Sequence, residues 1–224
     1  MTRLRDDEGG FTLVELLVTI SVGMVVMTAI LGLLDMTLRS SASSVGRTQA
    51  VREGRGAIDR IGQELRLASC PDTGPAILSA TADSVSFHVS RPQSDPALGD
   101  VVERHTLSYD AAKGTVTLTV SPGTGVPPVW GAPTRTTVLG SGLSRTGGTT
   151  PIFRYLAYDE PTASATTPLA APVAQGSLSS IAQVEVSFTA LGAYPSAQQG
   201  SSRFQSRIVL RTDDPSDEDN TPEC

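Results

Sequence analysis

The residues from Phe11 to Leu34 form one long apolar block, which constrains this chain more than any other feature of its sequence. The block spans 24 residues and contains a single charged residue, Glu15. As an α-helix it would extend about 36 Å, which is enough to cross a hydrocarbon core about 30 Å thick. Asp35, Arg39 and a serine-rich run follow it. The block therefore predicts a single membrane-spanning helix or a cleaved signal segment.

A cleaved secretory signal is the first alternative for this block. Arg3 and Arg5 precede the apolar residues, and residues 40–42, Ser-Ser-Ala, are similar to a small-residue cleavage site. The apolar core of a secretory signal usually runs about 7–15 residues, however, and this block is much longer. An acidic residue early in such a core is also unusual. We therefore favour a retained membrane helix.

The composition narrows the classes of function. The 224 residues include 17 basic and 23 acidic side chains, so the net charge is −6 and the broad basic surface of a nucleic-acid binder is lacking. Two histidines and two cysteines leave few ligands for a metal site. His88 and His105 fall at strand-like positions that we expect to face solvent. The chain contains neither a Gly-x-Ser-x-Gly elbow nor a P-loop. We therefore expect no catalytic residues, cofactor, metal or directly bound nucleic acid.

A short charged leader of ten residues ends at Gly10. Its last two residues begin the sequence Gly-Gly-Phe-Thr-Leu-Val-Glu, which runs from Gly9 to Glu15. A glycine at a cleavage point lets an extended backbone enter a protease cleft without a side-chain clash. This motif, directly before the apolar block, resembles the processing site of type IV prepilins and type II secretion pseudopilins. The resemblance implies that a prepilin peptidase/methyltransferase removes the leader, residues 1–10, after Gly10 and then N-methylates Phe11.

Glu15 needs a separate explanation, because a carboxylate at the centre of a spanning helix costs about 2.5–3.5 kcal/mol. One interpretation is that Glu15 lies close enough to the start of the helix to reach interfacial water. The resemblance implies another, in which Glu15 pairs with the N-terminal ammonium of a neighbouring subunit during filament assembly. A desolvated carboxylate and a desolvated ammonium are each costly alone and far less so together.

The helical pattern continues beyond Arg39 to about Ser69. Pro71 disfavours helix at the residue before it and so marks the end. We predict one helix over residues 11–69, with a membrane-spanning part at 11–34 and a second half that covers a sheet. The apolar stripe that would face the sheet consists of Val51, Ile58, Ile61, Leu65 and Ala68.

From Ala76 onward, apolar residues alternate with polar ones, which is typical of β-strands. Residues 107–120 predict a hairpin with a glycine-containing turn at 110–114. Two polar stretches rich in glycine and proline, Ser121–Pro151 and Asp159–Gly176, are expected to be loops. We predict five or six mostly antiparallel strands in one sheet with one buried face. The apolar positions of the other strands are Val85, Phe87, Val89, Phe153, Tyr155, Val184, Val186, Phe188, Phe204, Ile208 and Leu210.

Together these patterns predict an α+β, pilin-like fold with a β-rich domain at 70–224. The helix ending at 63–68 and the order of the strands after it are similar to the J-type pseudopilin and the W-type minor pilins. This resemblance implies a minor subunit that is anchored by one span in the bacterial cytoplasmic (inner) membrane and assembled into an extracytoplasmic filament. Its partners would be other pilin or pseudopilin subunits and the inner-membrane assembly machinery.

Two alternatives to a filament subunit stay open. One is a single-pass, membrane-anchored extracellular adhesin or ligand-binding domain that does not polymerise. The other is a secreted enzyme, cleaved near Ala42.

Cys70 and Cys224 are the two cysteines of the chain. If the β-rich domain lies outside the membrane, in an oxidising compartment, a disulfide between them is favoured. Two free thiols are the alternative. Cys224 follows an acidic stretch at 213–219, which we interpret as a solvated tail because its spacing does not match a calcium-binding loop.

Overall fold

The computed structural model describes residues 12–70, 74–92, 100–159, 164–192 and 200–210. The described part contains one long N-terminal α-helix followed by antiparallel β-strands, so the predicted α+β class is confirmed. The chain divides into two compact units, Met1–Ser44 and Val45–Cys224.

The helix, α1, spans Leu13–Leu65. Thr12 precedes it, and its Oγ1 atom accepts a hydrogen bond from the backbone N–H of Glu15 at 3.3 Å. Thr-x-x-Glu is the spacing of a capping box, in which a threonine satisfies an otherwise unbonded N–H group of the first turn. The helix ends one turn earlier than the predicted end at Ser69, because the N–H groups of Leu67 and Ala68 bond carbonyls three residues back in tighter turns.

The first sheet has six antiparallel strands in the order β1-β2-β3-β4-β5, and β6 also pairs with β4. The predicted hairpin at 107–120 is confirmed as β3 and β4. In its turn, the Asp110 carboxylate accepts hydrogen bonds from the backbone N–H groups of Ala112 and Lys113 at 2.9 and 3.2 Å. The strands are β1 (Ile77–Ala80), β2 (Ser84–Pro92), β3 (Asp100–Asp110), β4 (Thr115–Thr124), β5 (Val129–Trp130) and β6 (Arg135–Gly140).

The second sheet is also antiparallel, in the order β11-β10-β8-β9, and β7 pairs with the end of β10. Its strands are β7 (Leu143–Ser144), β8 (Phe153–Asp159), β9 (Ser164–Leu169), β10 (Ile181–Ala190) and β11 (Ser202–Val209). The expectation of one sheet with five or six strands is therefore wrong. The two stretches expected to be loops contain β5, β6, β7 and β9, which are too short or too polar to show a clear apolar alternation.

The part of α1 within the second unit packs on the sheets and forms one core with them. Ile61, Leu65 and Ala68 are buried, as the predicted stripe requires, whereas Val51 and Ile58 are half-buried. Small residues occupy the rest of the buried helix face, which contains Gly46, Ala50, Gly54, Ala57 and Gly62. The helix backbone therefore approaches the sheet more closely than large apolar side chains would permit.

The two sheets are joined by hydrogen bonds from β8 to the turn between β1 and β2. The fully buried Tyr155 hydroxyl donates to the carbonyl of Thr81 at 2.7 Å and approaches that of Ser84 at 3.1 Å. The Phe153 N–H donates to the Ala82 carbonyl at 3.1 Å. These bonds fix the relative position of the sheets under the helix.

Candidate processing and anchoring segment

The first unit presents an apolar surface on all sides of the helix. Large apolar side chains from Leu13 to Leu38 are exposed over at least half of their surface, and many of them are consecutive in sequence. By length and composition, α1 could cross a membrane. A helix that is apolar all round is stable when lipid or other apolar helices surround it.

The hydroxyl groups within this segment are satisfied by the helix itself. Thr19 donates to a carbonyl three residues earlier at 2.9 Å. Ser21, Thr28 and Thr37 donate to carbonyls four residues earlier, each at 2.8 Å. Such internal bonds remove the need for water and suit a helix in lipid.

Glu15 lies in the first turn of α1, where the helix dipole favours a negative charge. Its backbone N–H is capped by Thr12, but its exposed carboxylate contacts no partner among the described residues. A carboxylate accepts up to four hydrogen bonds, so Glu15 is available to a cation from another molecule. The assembly role of Glu15 stays a prediction.

Two charged residues follow the apolar block within the next turn and a half of α1. Asp35 and Arg39 form an exposed ion pair at 2.9 Å across one turn. At the other end, Gly10 and Phe11 lie outside the described residues, so their processing roles stay predictions.

The cysteine prediction is only partly covered by the described residues. Cys70 is disulfide-bonded. Cys224 and the acidic stretch at 213–219 lie outside the described residues. The pairing of Cys70 with Cys224 therefore stays a prediction.

The expected solvent position of His105 is wrong, because its side chain is fully buried between α1 and the first sheet. Its Nδ1 atom lies 3.0 Å from Oε2 of Glu64, and its Nε2 atom lies 3.1 Å from Oε2 of Glu103. The hydrogen bond to His105 holds the pKa of Glu64 below its ordinary value. A neutral imidazole has one N–H, so donation to both carboxylates requires the doubly protonated ring. The alternation of His105 with Leu107 was the available signal, since residues two apart share a strand face.

His88 is also buried, although it points to the opposite face of the first sheet. The ring of Trp130 covers it edge-on, with 4.9 Å between the ring centroids, and the Arg104 guanidinium lies 5.4 Å from the Trp130 centroid. Burial lowers the pKa of His88. Trp130 belongs to β5, within the stretch 121–151 that was expected to be a loop. Within the described ranges, the His, Cys, Asp and Glu side chains form no group that could hold a metal ion.

Comparison with known proteins bears on the start of the chain. Residues 5–31 match the family model described as the prokaryotic N-terminal methylation motif. No curated protein matches the chain. The matched residues cover the recognition site of prepilin peptidase and the first part of the apolar helix. The match and the helix together support a type IV pilin-like precursor with a helix suited to membrane anchoring.

Proposed function

We propose that the chain is a minor pilin or pseudopilin, a structural subunit of a type IV pilus or a type II secretion-like filament. The observation that carries the proposal is the position of the methylation motif, which overlaps the start of a helix with apolar side chains exposed on all sides. Proteins that carry this motif are structural rather than enzymatic, which supports a non-enzymatic role. The resemblance to the J-type and W-type subunits supports the minor position.

The proposed sequence of events begins in the cytoplasmic membrane. The peptidase cleaves after Gly10, and the new amino group of Phe11 is methylated. The apolar half of α1 then holds the subunit in the bilayer with the β-rich domain outside the cytoplasm. On assembly, apolar helices of neighbouring subunits replace lipid, so the helix surface stays out of water throughout.

Glu15 would supply specificity to this assembly. Its carboxylate has no partner among the described residues, and the amine on Phe11 of a neighbour would be the complementary charge. Leaving either charge unpaired in an apolar filament core is unfavourable. Correct axial placement of the two subunits therefore satisfies both groups at once.

N-terminal sequencing and intact-mass measurement of the membrane protein test the first step. We expect the mature chain to begin at methylated Phe11. Gly10→Val should block cleavage, because a branched side chain would enter the protease cleft, whereas the matched variant Gly9→Ala should still be processed. A mature protein that begins at Met1 would support the non-polymerising anchored domain. One that begins near Ala42 would support a secreted protein.

A further inference from the structure

The outer strands of the two described sheets differ in how well their free edges are protected from pairing with another strand. An unpaired edge offers free N–H and C=O groups, and proteins usually block it with a covering segment, proline, charge or short length. Strand β1 has four residues, and the Val173 N–H bonds to its last carbonyl. Strand β9 contains Pro168, and β11 exposes Arg203 and Arg207. Strand β5 has two residues.

Strand β6 is longer than β1 and β5, contains no proline and carries one charged residue, Arg135. Residues 135–138, Arg-Thr-Thr-Val, are all exposed and pair in regular register with β4 on one side only. No described strand covers the other side. These residues combine three β-branched side chains with a single charge at the start, which favours strand pairing.

The free edge is also held in place. The register shifts after Val138, and the Arg60 Nη1 atom of α1 donates to the Leu139 carbonyl at 3.2 Å. The buried Leu139 side chain anchors the same end of the strand in the core. A preorganised edge loses little conformational entropy when another strand binds.

We propose that residues 135–138 of β6 bind an extended segment of a partner protein as an additional antiparallel strand. Main-chain hydrogen bonds would supply the affinity, and side chains at the edge would supply the selectivity. The proposal is independent of leader processing and holds whether or not the chain polymerises.

The side chains at this edge define the chemistry of the occupant. Thr136 continues a cross-strand row of hydroxyl side chains that begins with the hydrogen-bonded pair Ser86 and Thr106 and includes Thr119. A β-branched residue on the incoming strand would pack beside this row. Arg135 is exposed, and its charge acts on Glu64 of α1 without forming an ion pair with it. An acidic residue on the occupant would supply a direct ion pair beside Arg135.

Hydrogen exchange on the full chain in detergent tests the proposal with two peptide probes. The acidic probe alternates threonine and valine over four positions between Gly-Ser flanks and places an aspartate beside Arg135. The basic probe has lysine in place of aspartate. At ten times its Kd, the acidic probe should slow exchange of the amides of 135–138 that point away from β4 by about tenfold. The basic probe should bind about twofold to fivefold more weakly.

Val138→Lys should abolish the slowing, because a charge on the edge opposes strand addition. Val126→Lys, which changes a more exposed valine in the neighbouring β4–β5 turn, is the control and should leave the slowing intact. Thermal unfolding of both variants checks that they fold. The proposal is overturned if neither probe slows exchange, if both bind equally, or if the two variants respond alike.

Discussion

A Cβ atom placed on Gly54 of α1 would lie 2.1 Å from the Cε2 atom of Phe204 in β11. The ring of Phe204 therefore occupies the volume that a side chain at position 54 would need. The Phe188 ring lies behind it, with 5.8 Å between the centroids. Gly54 thus lets the helix and the second sheet approach each other, so its role is in packing.

Gly54→Ala should lower the free energy of unfolding by about 1–3 kcal/mol, because the Phe204 ring must move out of a packed position. Chemical denaturation of the detergent-solubilised chain measures the change. Gly56→Ala is the matched control, since the nearest atom to its added Cβ is the end of the Arg60 side chain at 4.0 Å. That variant should be neutral or more stable by up to about 1 kcal/mol, because alanine favours helix. Equal effects of the two variants would contradict the packing role of Gly54.

The same glycines show how far the sequence predicts this fold. The apolar block and the alternation after Ala76 predict the helix, the antiparallel pairing and much of the core. The period of the stripe also predicts that Ile61 and Leu65 are buried. By propensity alone, glycines weaken a helix, and the packing role of Gly54 depends on where β11 lies. That position is set by tertiary packing and leaves no local pattern.

The residues of the candidate site also differ in whether the sequence predicts them. The processing motif and Glu15 are visible because their chemistry depends on adjacent residues. The contact between His105 and Glu64 joins residues 41 positions apart and becomes visible only once α1 lies on β3. Strand β6 escaped prediction because it has one buried apolar residue, Leu139, whereas alternation needs several.

Glu64 should make stability depend on pH in the acid range. Because its hydrogen bond to His105 lowers its pKa in the folded state below 4.5, the unfolded chain binds the proton more readily. The stabilisation is therefore fully present above pH 4.5 and is lost as the pH falls through the lowered pKa. Glu64→Gln should lower the free energy of unfolding at neutral pH by about 1–3 kcal/mol and have less effect at acid pH.

Urea denaturation of wild type and Glu64→Gln between pH 3 and 7 measures this difference. Glu53→Gln is a suitable control, since Glu53 lies on the same helix and accepts a hydrogen bond from the Gln49 side chain at an exposed site. Its unfolding free energy should stay close to that of wild type at each pH. A Glu64→Gln curve that runs parallel to wild type throughout would rule out the proposed coupling.

Tyr155→Phe should weaken the contact between the two sheets and lower the free energy of unfolding. The variant keeps the buried ring but leaves the Thr81 carbonyl without its hydroxyl donor, at a cost of about 1–2 kcal/mol. Tyr109→Phe removes a longer hydrogen bond, 3.2 Å to the Leu143 carbonyl, from a less buried residue and should cost less. Chemical denaturation compares the two, and a larger loss for Tyr109→Phe would refute this ranking.

Cys224→Ser should remove the predicted disulfide to Cys70. In the chain-entropy model, a crosslink that closes so long a loop contributes about 4–5 kcal/mol. The variant should unfold at a lower denaturant concentration and should gain one alkylatable thiol at Cys70. Peptide mapping without reduction locates the bond in the wild type. Two alkylated thiols in freshly isolated, unreduced wild-type protein would exclude it.

Glu15→Leu should separate membrane insertion from filament assembly. Leucine favours the bilayer, so the variant should still be processed to Phe11 and kept in the membrane fraction. The ammonium of a neighbour would then lack its buried partner, so the amount in sheared filaments should fall at least about tenfold. Asp35→Asn, which removes a carboxylate at the polar end of the same segment, is the matched control and should assemble normally. Immunoblots of both fractions give the ratio, and normal incorporation of Glu15→Leu would reject the charge pairing while leaving the processing step intact.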